Sequence, residues 1–108
     1  MRHPYDPEHV RTLAPLLDSI SREIEQRTLA LEALEERILA LKSSPFYSAE
    51  LRGLESEAAI HRREIRHCRQ ELDRLGCTMV GTGPIRIRIP TQVGEERRSV
   101  VWQRPVGR

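Results

Sequence analysis

The chain is short of the residues that build a thick globular core. Aromatics make up 4% of its 108 residues, and they are Tyr5, Phe46, Tyr47 and Trp102. Two cysteines, Cys68 and Cys77, are too few for a dense disulfide framework. No apolar run approaches the ~20 residues that span a bilayer. The N-terminus is polar from Arg2 onward, so no secretory leader is expected and a cytoplasmic protein is the default. Lysine is nearly missing: Lys42 is the sole one, and the remaining cations are arginines.

Motifs that carry chemistry are missing too. There is no CxxC, HxxxH or HExxH spacing, so no metal site can be read from the sequence. Gly81-Thr82-Gly83 lacks both the lysine and the spacing of a phosphate-binding loop. Neither cysteine has an activating neighbour in sequence, and Cys68 reads as a small buried hydrophobe. No acid, base or nucleophile constellation emerges, so no catalytic residue, cofactor or metal is assigned and a non-enzymatic protein is expected.

What is present is an apolar seam. It reads Val10, Leu13, Leu17, Ile20, Ile24, Arg27, Leu31, Leu34, Ile38 and Leu41. After a turn it resumes as Leu51, Leu54, Ala58, His61, Ile65, Cys68, Leu72 and Leu75. Steps of three and four alternate throughout, the spacing of a coiled-coil stripe. The spacing predicts a mainly α protein, a long antiparallel two-helix coiled-coil hairpin with a small C-terminal β-hairpin. Helices are expected over about 7–42 and 49–75 within a hairpin unit of residues 1–76. Asp6, Pro7 and Glu8 supply a start signal, and Gly76 a stop. Pro15 predicts a kink near residues 11–14. Gly53 either permits close helix approach or loosens the first turn of the second helix. Phe46 and Tyr47 are expected to plug the tip of the seam; the alternative is an exposed aromatic anchor for a partner.

Two helices with one stripe each bury little, so dimerisation into a four-helix bundle is expected. Pairing Leu41 with Leu51 sets Arg27 and His61 in adjacent layers. This polar layer is either a register-fixing pair with Arg27 reaching to water or a glutamate, a ligand or anion site, or a layer shared between protomers.

Residues 77–108 form the β appendage, expected to pack on the open end of the hairpin over Val10 and Leu13. Cys77–Val80 reads as a short strand, and Ile85-Arg86-Ile87-Arg88-Ile89 alternates as a half-buried strand that Pro90 ends. Ser99–Gln103 is β-rich and returns beside it. The tail from Arg104 is expected to fray.

Charge is uneven. Residues 1–76 carry 12 Lys+Arg against 14 Asp+Glu, whereas residues 77–108 carry six against two. Arg62, Arg66 and Arg69 share a helix face, and Arg86 and Arg88 project from one strand. Should these faces adjoin, they make a polyanion surface; the alternative is a solvated face balanced by Glu64, Glu71 and Asp73.

The order of parts resembles a bacterial family, the domain of unknown function two-two-zero-three. The resemblance rests on Leu13-Ala14-Pro15-Leu16-Leu17 and Leu75-Gly76-Cys77, and above all on Pro90, Val100 and Trp102. The chain departs from the family pattern at Arg88, Ile89, Val101 and Arg108. The resemblance implies no activity. The reading is a non-enzymatic oligomerisation or protein-interaction module, a homodimer with an unidentified protein partner and no membrane. A nucleic-acid-associated protein using the arginine face and a hairpin chaperone are the alternatives.

Overall fold

A computed structural model describes residues 4–44, 46, 48–81 and 84–104. Helix α1 spans Pro7–Lys42 and α2 spans Ser48–Arg74. Asp6 caps α1, its carboxylate accepting from the Glu8 amide at 3.1 Å. The helix then runs without interruption past Pro15. At ~1.5 Å per residue, 36 residues account for most of the molecule's 65 Å length.

Every seam position is buried or half-buried, while the residues between them are mostly exposed. Helix α2 ends as its sequence demands. Gly76 has φ 76°, its amide donates to Asp73, and the Cys77 amide reaches back to Leu72. These two bonds form a Schellman cap, and its usual apolar contact is supplied by Leu72 and Cys77, both buried in one cluster.

Three strands follow: β1 (Thr78–Met79), β2 (Arg86–Val93) and β3 (Glu96–Gln103), in the order β1-β2-β3, all antiparallel. The expected hairpin of two strands is thus a three-stranded sheet. Val93 pairs with Glu96 across Gly94-Glu95, and Gly94 has φ 61°. Positive φ at the first central position alone is the signature of a type II′ turn. Alternation puts Ile87, Ile89 and Thr91 on the inner face, where they are buried.

One cluster joins the two parts. Leu17, Ile20 and Ile24 of α1 pack with Cys68 and Leu72 of α2, Cys77, and Ile87 and Ile89 of β2. Val10 and Leu13 lie against the same cluster, as do Tyr5 and Trp102.

Three expectations are overturned. Pro90 does not end the strand: β2 continues through it to Val93. The reason is geometric. The Pro90 carbonyl faces Tyr5, accepting its amide at 2.8 Å, and the Gln92 amide donates back to Tyr5 at 2.9 Å. The Pro90 ring nitrogen faces that same side, away from β3, so its missing N–H removes no bond from the β2–β3 ladder. Phe46 plugs nothing, standing 88% exposed at the hairpin tip; Tyr47 lies outside the described residues. Nor is the tail loose at Arg104, and its remainder, 105–108, lies outside the described residues. The Arg104 guanidinium binds Glu25 and lies 3.7 Å from Asp18, fastening the end of β3 to α1.

Candidate functional site

The polar layer is assembled. Arg27 Nη1 lies 3.3 Å from His61 Nδ1, and Arg27 Nε donates to Glu23 at 3.0 Å. Arginine has no acceptor, so in a hydrogen bond between the two the guanidinium donates and His61 Nδ1 accepts. Arg27 contacts both His61 and Glu23, both seam residues are half-buried, and among the described residues no buried side-chain nitrogen or oxygen lacks a partner.

The arginines predicted to form one surface divide. Arg62 of α2 crosses to Glu35 of α1 at 3.5 Å. Arg69 borders a cleft of ≈ 550 Å³ together with Glu25, Leu29, Met79 and Ile85. The Arg86 guanidinium lies beside Gly81, which also borders that cleft; a Cβ on Gly81 would come within 3.2 Å of it. Arg69 thus borders the cleft and Arg86 reaches Gly81 at its rim, Arg62 is diverted to a carboxylate, and Arg66 stays exposed on α2.

Arg88 lies on the outer sheet face. That face also carries Arg86 and Gln92 from β2 and, by their pairing, Arg97, Ser99, Val101 and Gln103 from β3. None of these is acidic. Glu96 lies on the opposite face, where it holds Arg98 at 2.9 Å.

Cys68 and Cys77 are both buried. Burial pushes the Cys68 thiol up from its ordinary value of 9.0, and Glu23, Glu71 and Glu64 add to the effect against a smaller opposing influence of Arg27. Such a thiol is protonated near neutrality and is a poor nucleophile. Among the described residues, no three His, Cys, Asp or Glu side chains gather as a metal site. Likewise, no described helix is long and apolar enough to cross a membrane.

The most unusual surface is one that residue types alone did not reveal. Strand β3 is eight residues long and has β2 as its single neighbour among the described residues. The phase of its free edge follows from Pro90. Since Pro90 and Gln92 turn their backbone groups to Tyr5, Thr91 and its odd-numbered neighbours bond β3. Their partners Glu96, Arg98, Val100 and Trp102 are used up in that ladder. Arg97, Ser99, Val101 and Gln103 therefore present their backbone donors and acceptors outward. Two valines flank this edge, Val100 at 41% exposure on the inner face and Val101 at 49% on the outer.

Of the family-like positions, Pro90 pairs with Ser99, Val100 with Ile89, and Trp102 with Ile87. All three belong to the β2–β3 ladder, and Trp102 also packs on the core. No family model, no curated protein and no solved structure matches the chain.

Proposed function

We propose that the protein is a non-enzymatic self-association and protein-interaction module whose contact surface is the free edge of β3. The observation that supports this most directly is an eight-residue strand with an unused row of backbone groups and two half-exposed valines at its centre. Such an edge is a template for a further strand, and main-chain hydrogen bonds supply the affinity. The usual safeguards are missing from its middle: Ser99-Val100-Val101-Trp102 holds no charge, no proline and no glycine.

A four-helix bundle is the other route to a dimer. It requires a second apolar stripe, whereas the exposed leucines of α1, Leu16, Leu29 and Leu39, stand about 80–140° apart around the helix axis. They form no stripe, which favours the sheet edge over the hairpin face.

A second reading rests on the outer sheet face, where Arg86, Arg88 and Arg97 have no acidic neighbour among the described residues of that face. A polyanion would be held there by charge alone, and binding would fall steeply with salt. Sedimentation across a concentration series tests the first reading, with a monomer–dimer equilibrium expected in the micromolar range. A monomer at several hundred micromolar would remove it. Duplex binding that ignores added salt would remove the second.

A further inference from the structure

We infer that the occupant of the β3 edge is the β3 edge of a second copy, paired antiparallel about a two-fold axis through Val100; this rests on the self-association reading and specifies its register. Two conditions limit the registers available. Hydrogen-bonded pairs must join residues whose backbone groups face outward, namely Arg97, Ser99, Val101 and Gln103. Both residues of each pair must also share a sheet face, so the inner face of one copy continues into that of the other.

Centring on Val100 meets both conditions over the whole strand. Arg97 then bonds the partner's Gln103, and Ser99 bonds the partner's Val101, each pair exchanging two N–H···O bonds. On the inner face, Val100 meets the partner's Val100 at the axis. Arg98 comes opposite the partner's Trp102, a cation over an indole. Glu96 comes opposite the partner's Arg104, and no like charges are paired. Shifting the axis to Val101 sets Arg98 against the partner's Arg104, two cations on one face. Shifting it to Ser99 leaves Gln103 without a partner and takes Val100 away from its twin.

There is room for this approach. Val100 is part-exposed, and Arg98 and Glu96 are more than half exposed on the inner side, so the helices do not fill the space beneath β3. The result is one continuous six-stranded sheet that removes both β3 edges at once.

Cysteine cross-linking of the full chain reads the register directly. The two Val100 positions form a non-hydrogen-bonded antiparallel pair, with Cα atoms about 4.5 Å apart, inside the range of a disulfide. Under mild oxidation Val100→Cys should give a disulfide-linked dimer within minutes, while Val101→Cys, facing the partner's Ser99, should link at least tenfold more slowly. Cys68 and Cys77 are buried and do not compete. A second variant, Ser99→Pro, removes an outward N–H and no bond to β2. It should weaken dimerisation about tenfold or more while leaving helix content by circular dichroism unchanged.

Faster linking of Val101→Cys than of Val100→Cys would overturn the register. A wild-type dimer that resists Ser99→Pro and yields no cross-link at Val100 would overturn the β3 edge as the site, leaving self-association through another surface. A wild-type monomer would remove the inference together with the reading beneath it.

Discussion

The Tyr5 phenol donates to the Leu75 carbonyl at 2.7 Å across 70 positions of sequence. Its backbone at the same time bridges Thr91 of β2 in parallel. One residue thus ties the start of the chain to the end of α2 and to the sheet. The side-chain bond satisfies the carbonyl of the residue that follows α2, which has no partner within the helix. Tyr5→Phe should cost about 1 kcal/mol, a fall in Tm of about 4–8 °C by calorimetry. A Tm unchanged within one degree would mean the hydroxyl is not bonded there.

Gly53 lies inside the first two turns of α2, and a Cβ there meets nothing within 4 Å. Close helix approach therefore does not explain this glycine. Gly53→Ala should stabilise the protein by roughly 0.5–1 kcal/mol, since alanine costs less backbone entropy in a helix interior. Urea melts of the two proteins measure this, and a loss of stability would place an unseen neighbour at the site.

Leu17 is fully buried in the cluster that joins helices and sheet, whereas Leu39 is 73% exposed. Leu17→Ala should lose about 2–5 kcal/mol by removing transfer energy and leaving a cavity. Leu39→Ala should stay within about 0.5 kcal/mol. A large loss at Leu39, measured at micromolar concentration, would reveal a helical dimer face instead.

The Cys68 thiol is raised above 9.0, chiefly by burial. The folded protein then holds this proton more tightly than the unfolded chain does. Its contribution to stability is constant below about pH 9 and declines as pH rises beyond that value. Cys68→Ala should remove this part of the alkaline decline, so the stability difference between the two proteins narrows from pH 8 to pH 10.5. A constant difference would contradict a raised thiol.

Arg27 and His61 touch, but both keep access to water and Arg27 already holds Glu23. Their coupling in a double-mutant cycle with alanine should be below about 1 kcal/mol. Replacing both with leucine should raise Tm while weakening the hairpin's preference for one register, readable as broader backbone amide signals.

The helical hairpin was legible residue by residue. Each apolar position of the three-four alternation is buried or half-buried, and the Asp6 and Gly76 signals cap the elements they flank. The alternation of Ile87 and Ile89 with arginines likewise announced a half-buried strand. Pro90 misled because proline breaks a strand only when its nitrogen faces a neighbour, and the side it faces is set by pairing. Arg104 misled for a related reason: a polar residue just past a strand reads as loose until Asp18 and Glu25 are brought beneath it. Phe46 read as a plug because aromatics usually bury, yet at the tip it stands exposed.

The sequence by itself determined the hairpin, its seam and its caps, because helix periodicity and capping are properties of residues three or four apart. Which backbone groups of β3 remain free was decided only in three dimensions. Tyr5 and Val80 reveal that phase by taking the other side of β2, the first through a contact made across nearly the whole chain. A strand has two edges of equal chemistry, and only the partner that occupies one of them leaves the other to act.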